Sequence, residues 1–214
     1  MFVREARAIS QAPTPLRVSC GLDSSGVFPM QDRPAGDPKR ILVCVCGGIA
    51  AYKAPILVRR LRDRGAAVQV AMTDNARRFI GEAALQAVSG HTVRHSLWDP
   101  AAEAAMGHIE LARWADAVVV APATANTLAK LAHGLADDLV TTLSLATTAP
   151  VYVAPAMNHR MWLHAATQAN VGTLKSRGVT VLGPDEGDMA CGEYGPGRML
   201  EPEDIAAAVL GARA

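Results

Sequence analysis

The amino-acid sequence predicts an α/β fold in which a parallel sheet is covered by helices on both faces. Two observations carry that expectation. Runs such as "ILVCVC" (41–46) are apolar throughout and lack the polar alternation of a half-exposed strand, so they read as strands buried on both sides. Between them lie longer stretches with apolar residues at helical spacing, and alternation of the two patterns favours parallel βαβ units.

Taken in order, "IAAYKAPILVRRLRDRG" (49–65) has helical periodicity, with Gly65 placed to end it. "AAVQVAM" (66–72) is the second strand, and a shorter helical stretch follows around "NARRFIGEAALQAVSG". "HIELARWA" (108–115) is helical, "DAVVVAPA" (116–123) a strand and "ANTLAKLAHG" a helix after it. "DDLVTTLSLAT" continues as helix, "PVYVAPA" (150–156) is a strand, and "HRMWLHAATQANVGTLKSRG" reads as a single helix. "VTVLGP" (179–184) is the fifth strand, and "DEGDMACGEYGPGRM" after it a glycine-rich loop. "EPEDIAAAVLGA" closes with a helix whose early acids suit its N-terminal dipole. Residues 1–40 hold many Pro, Gly, Ser and Asp and no sustained periodicity, so they read as a flexible N-terminal arm before a domain at 41–214.

Half the residues are hydrophobic and 19% charged, enough for a sizeable core. A net charge of +1 without a basic stripe argues against nucleic acid as a partner. No apolar run reaches the roughly 18 residues that span a bilayer, and the N-terminus lacks the apolar core of a secretory signal, so no membrane partner is expected. Of Cys20, Cys44, Cys46 and Cys191, two lie inside a strand-like run, which suits free thiols and a cytoplasmic location.

In such a sheet, ligands bind beyond the carboxyl ends of the strands. Those ends gather glycines, hydroxyls and amides: "CGGIAAYK", "MTDNARRF", "APATANT" and "APAMNHRMW". "CGGIAAYK" lets backbone N–H groups approach an anion, although a plain tight turn would look the same. Thr124, Asn126 and Thr127 suit a phosphate or the edge of a heterocycle; helix capping is their plainer role, and Thr124 can do both. No acid after strand two is placed to bind a dinucleotide ribose, and Asp74 is a poor candidate, so FMN fits better than NAD. Asn158 carries an amide whose N–H can donate to a carboxylate while its oxygen accepts from a substrate amide. Met157, Met161 and Trp162 have the spacing of core residues, whereas His159 and His164 are expected to face solvent. His108, at a helix entry, suits a base or a hydrogen-bonding role. The histidines and cysteines lack metal-ligand spacing, so no metal site is expected.

"GGIAAYK", "HIELARWAD", "APATANT", "PAMNHRMW" and "ACGEYGPGRM" occur in this order. Over roughly residues 40–207 the chain resembles the homo-oligomeric flavin-containing cysteine decarboxylases, most of all the phosphopantothenoylcysteine decarboxylase domain of coenzyme A biosynthesis. The resemblance implies a flavodoxin-like Rossmann-type three-layer sandwich, FMN, and homotrimers with active sites between subunits, often assembled into dodecamers. It implies cofactor contacts from Gly47, Gly48, Ile49, Thr73, Asn75, Thr124, Ala125, Asn126, Thr127 and Ala156. His108 would be the catalytic base, Asn158 the anchor of the substrate and Cys191 the proton donor on a closing flap. Met157, Met161 and Gly192 would also meet the substrate. The implied reaction oxidises the thiol side of a cysteinyl substrate, releases CO2 and re-reduces the enethiol, so that it is redox-neutral overall.

Two departures bear on that expectation. Cys46 stands where the family usually has Ser, and a thiol is the weaker donor. The ligase domain that follows in many bacterial relatives has no counterpart before Ala214. The alternatives are an oxidative decarboxylase acting on the C-terminal cysteine of a ribosomal peptide, and a regulatory flavoprotein binding subunit.

Overall fold

Five parallel strands form the central layer in the order β2-β1-β3-β4-β5. They are β1 (Arg40–Val45), β2 (Ala67–Met72), β3 (Ala117–Ala123), β4 (Val151–Pro155) and β5 (Thr180–Val181). β1 lies between β2 and β3, with Val43 level with Val70 on one side and Val119 on the other. The structure is a computed structural model, and it describes residues 36–99, 107–188 and 192–211. Pro38–Ala214 form one unit, and of the other, Met1–Asp37, only Gly36 and Asp37 are among the described residues.

Every residue of β3 is buried, because helices cover both faces of the sheet. The two-residue period of a strand divides β1 between two cores. Ile41, Val43 and Val45 join a cluster with α1 (Ala54–Asp63), α2 (Glu82–Ser89) and α8 (Pro202–Leu210). Leu42, Cys44 and Cys46 join the opposite cluster with α3 (His108–Trp114), α4 (Ala125–His133), α5 (Leu139–Ala146) and α7 (Ala165–Ser176). Leu57, Val58 and Leu61 put one face of α1 fully into the first core. Burying each is worth about 1.5–3 kcal/mol, so Leu57→Ala would cost about 2–5 kcal/mol with its cavity.

The helix ends follow from local chemistry. Thr124 caps α4 by accepting from Thr127 N, and Gly134 ends it at φ 68°. Asp138 and Thr141 form a reciprocal capping box on α5. The segment read as one helix from 159 is two, α6 (His159–Leu163) and α7. His164 is extended at φ −62°, ψ 134°, and its Nδ1 accepts from Ala166 N at 3.1 Å, so a side-chain cap restarts the helix there.

The glycine-rich segment read as a loop contains an antiparallel hairpin, β6 (Asp185–Asp188) with β7 (Tyr194–Arg198). Short, charged and glycine-rich, it carries no apolar alternation that would mark strands. Met157 N donates to Gly197 O at 2.9 Å and ties β7 to the end of β4. No described helix is long and apolar enough to cross a membrane.

Candidate functional site

A cavity of about 920 Å³ opens at the carboxyl ends of the strands, within the range of small-ligand and cofactor sites. Gly47, Gly48, Ile49, Thr73, Asn75, Thr124, Ala125, Asn126, Thr127 and Ala156 all line it. Val45, Met72 and Ala123, which precede the first three loops, are fully buried, so the sheet anchors those loops from below.

Gly47 has a steric reason. A Cβ there would lie 2.5 Å from Asn75 Cβ and 2.7 Å from Asn75 C, so only glycine lets the first and second loops meet. Gly48 precedes a 3-10 turn, Ile49–Lys53, that no side chain caps. Opposite, Thr124 Oγ1 accepts from Thr127 N at 3.2 Å and lies 3.1 Å from Thr127 Oγ1. Thr124 thus caps α4 and lines the cavity at once. These backbone and hydroxyl groups are a donor set that suits a phosphate, and the cavity above them is large enough for a flavin. Cys46 lies beneath, fully buried. Burial pushes its thiol up to about 12, and a hydrogen bond with Thr127 offsets part of that rise. Burial also raises Cys44, so both are neutral small hydrophobes.

Sequence reasoning missed a set of charges on this cavity. Lys53 is buried, and its Nζ donates to Glu201 Oε1 at 2.8 Å and reaches Met199 O at 3.4 Å. Arg198 Nη2 donates to the same oxygen at 2.9 Å. The Lys53 hydrogen bond, more than any other contact, holds Glu201 below the ordinary carboxylate range. The available signal was a lysine in an apolar helical stretch, "IAAYKAPIL", with no acid at helical spacing. Lys130 also lines the cavity, 2.7 Å from Asp137 and 3.1 Å from Asp138. Its hydrogen bonds keep Lys130 raised and Asp137 lowered.

The far wall centres on Asn158. Its Oδ1 accepts from Arg160 N at 2.8 Å, and its Nδ2 donates to Glu193 Oε2 at 2.6 Å. The oxygen expected to accept from a substrate amide is therefore already bonded to the head of α6. His159, expected to face solvent, packs under the hairpin instead: a Cβ on Gly195 would come within 3.1 Å of His159 Cβ. Its Nδ1 is buried 3.3 Å from Glu193 Oε2, a close approach without the alignment of a hydrogen bond. His164 is exposed. Met157 packs on the core and reaches the cavity, whereas Met161 is 50% exposed at its rim rather than in the core.

His108 is the first residue of α3, half-buried and outside the cavity lining. Gly192, at φ 80°, is exposed and also outside it. Cys191 and Cys20 lie outside the described residues. Among the described residues no cluster of His, Cys, Asp or Glu is arranged to hold a metal.

A doubly wound sheet with a phosphate-suited cavity at its carboxyl edge defines a mononucleotide-binding α/β protein. The Flavoprotein family matches residues 31–213, and the chain belongs to that family. Over 167 residues it is 63% identical to the coenzyme A biosynthesis bifunctional protein CoaBC of Escherichia coli (strain K12), covering 78% of this chain and 41% of that protein. The chain thus spans less than half the length of that curated relative. Among solved structures, a Cys→Ser variant of PPC decarboxylase complexed with pantothenoylaminoethenethiol superposes with a TM-score of 0.69 at 34% identity, covering 81% of this chain and 97% of that one. The FMN-dependent cysteine decarboxylase SpaF gives 0.68 at 34%, covering 83% and 99%. The strand order and the covered parallel sheet are those of the flavodoxin-like fold, as expected from the resemblance.

Proposed function

We propose that the chain is an FMN-dependent carboxy-lyase acting on a cysteinyl carboxylate, and that its substrate is phosphopantothenoylcysteine, converted to phosphopantetheine. The observation that carries the reading is the oriented amide of Asn158. Arg160 N–H is a donor, so the atom facing it must be oxygen, and Nδ2 is left aimed at an acceptor. A fixed donor on the wall of a flavin-sized cavity suits a substrate carboxylate. The likeness to CoaBC and to PPC decarboxylase supports the choice of substrate.

FMN, when bound, supplies a reversible two-electron acceptor beside the substrate thiol. Gly47, Gly48 and Ile49 give its phosphate access to backbone N–H groups. Thr124, Ala125, Asn126 and Thr127 add hydroxyls and amides at the head of α4, with Thr73, Asn75 and Ala156 on the remaining wall. Asn158 orients the carboxylate and Met157 and Met161 contact the rest of the substrate from the cavity lining, while Gly192 would meet it from outside that lining. Cys191 donates the proton that completes the saturated thiol. His108 is the base. It lies outside its own chain's cavity, so it serves that of a neighbouring subunit in a homotrimer, the unit from which a homododecamer builds.

Mass spectrometry of the flavin-loaded protein with phosphopantothenoylcysteine tests this. Loss of CO2 alone is expected, and Cys191→Ser should give loss of CO2 together with two hydrogens. The likeness to SpaF favours a second reading, action on a peptide's C-terminal cysteine. Loss of CO2 with two hydrogens from the unaltered chain would point there. Absence of turnover on either substrate would overturn both.

A further inference from the structure

We propose that Arg198 is a specificity-determining residue of this site: its guanidinium receives the phosphate at the far end of the substrate and so separates a phosphopantothenoyl arm from a peptide. The inference rests on the reading of phosphopantothenoylcysteine as the substrate.

Among the described residues, three cations line the cavity: Lys53, Lys130 and Arg198. Two of them are engaged by the protein. Lys130 Nζ lies 2.7 Å from Asp137 and 3.1 Å from Asp138, so that end of the cavity carries one negative charge in excess. Lys53 has a side chain only 7% exposed, held by Glu201 Oε1 and Met199 O. Arg198 differs. Its side chain is 46% exposed, and of its five N–H groups Nη2 alone has an acceptor among the described residues, Glu201 Oε1 at 2.9 Å. Lys53 and Arg198 share that one carboxylate, so their end of the cavity carries one positive charge in excess.

The guanidinium has a seat built for it. A Cβ on Gly187 would lie 3.0 Å from Arg198 Nη1 and 3.2 Å from its Cδ, so the missing side chain lets Arg198 lie across β6. The acids of that strand are turned or placed away. Asp185, paired with Arg198 across the hairpin, accepts from Glu186 N at 2.9 Å and is outside the cavity lining. Asp188 does line the cavity, but it is three residues further along β6, about 10 Å at the rise of a strand. A fork held at one corner by Glu201 keeps its other N–H groups for a phosphate, which a guanidinium can grip through two oxygens.

The position suits the substrate. Met157 N donates to Gly197 O at 2.9 Å, and Asn158 and Arg198 each follow one residue beyond that bond. Both line the cavity, so a ligand anchored at Asn158 by its carboxylate has Arg198 on the same wall for its other anionic group. A phosphate is drawn to the end with positive excess and repelled from the end with negative excess. A peptide ending in cysteine brings the carboxylate but no phosphate, and gains nothing from Arg198.

The test uses the flavin-loaded chain with phosphopantothenoylserine and pantothenoylserine. Both ligands have a hydroxyl in place of the thiol, and they differ only in the phosphate. Calorimetry should show the parent preferring the phosphorylated ligand by about tenfold or more. Arg198→Gln should weaken that ligand about tenfold, with affinity for the other moving less than about threefold. Arg198→Lys, which keeps the charge without the fork, should restore part of the preference. Gly187→Ala, which crowds the guanidinium without altering its charge, should narrow the preference by less than Arg198→Gln does. Equal losses for both ligands in Arg198→Gln would mean that Arg198 only braces the hairpin through Glu201, and a parent without preference would mean that the phosphate lies elsewhere; either overturns the assignment. A preference that Arg198→Gln removes, in a chain that does not decarboxylate phosphopantothenoylcysteine, would sink the proposed reaction and leave the phosphate seat standing. Binding of neither ligand would overturn both.

Discussion

The two walls of the cavity are built on opposite principles. The wall made by Gly47–Lys53, Thr73–Asn75 and Thr124–Thr127 is mostly backbone, carried on strand ends that are fully buried. The wall made by Met157, Asn158, Met161 and, from the β6–β7 hairpin, Asp188, Gly197 and Arg198 is mostly side chain and lies outside the main sheet, with His159 and Glu193 behind it and Asp185, Glu186, Asp188 and Tyr194 exposed. Shape defines the first wall and charge the second. Substitutions on the first should therefore remove the cofactor, and those on the second should alter choice of substrate while the fold persists.

The largest effect that comparison predicts is at Gly47. In Gly47→Ala the new methyl would meet the Asn75 backbone at 2.7 Å, where a flexible side chain cannot relieve the contact. Overpacking of this kind costs about 1–3 kcal/mol or more, and the purified variant should be nearly colourless, as visible absorbance per chain would show. A fully yellow variant would mean that the two loops part freely. On the second wall, Asn158→Asp places a carboxylate against Glu193 and removes the donor. It should keep its flavin and lose turnover by about two orders of magnitude or more, the scale of a lost charge-assisted contact near 3 kcal/mol. Loss of flavin together with activity would erase the distinction between the walls.

Lys53 joins the walls, because it sits on the first and bonds Glu201, which Arg198 of the hairpin also bonds. Lys53→Met should lower stability by about 1–3 kcal/mol at neutral pH. Glu201 is held below its ordinary value of 4.5, so the pair's contribution is full above that pH and fades as pH falls through the lower folded value. Denaturant midpoints measured between neutral and acidic pH should therefore fall less steeply for the variant than for the parent. The smallest effect is expected at Cys46. Buried and pushed up to about 12, it should resist alkylation in the native protein and react once unfolded. Cys46→Ser should change flavin release by less than about threefold, since Thr127 can accept the new hydroxyl.

Legibility in the sequence divides along the same line. The first wall could be read because strand ends are announced by apolar runs, and the residues just beyond them have few places to go. All of the residues proposed there to hold the cofactor line the cavity. The second wall was legible at Asn158 and hardly elsewhere. His159 was expected in solvent, yet it lies beneath Gly195, a contact between residues 36 positions apart that no local pattern encodes. The hairpin was missed because its strands are four and five residues of charge and glycine, without the alternation that betrays a half-buried strand. The break at His164 was missed because the flanking residues suit a continuous helix, and only a side-chain cap divides them.

By itself, the sequence determined the alternation of strand and helix, the burial of the sheet on both faces and the edge at which the cavity opens. Each follows from local hydrophobic period and from the chirality of parallel crossovers, which leave few topologies open. Only the tertiary structure decided which charged groups meet. Lys53 finds Glu201 across 148 positions, and Asn158 finds Glu193 across 35. Such pairings depend on how separate elements dock, and an isolated lysine or glutamate in the chain carries no mark of the partner that packing will bring to it.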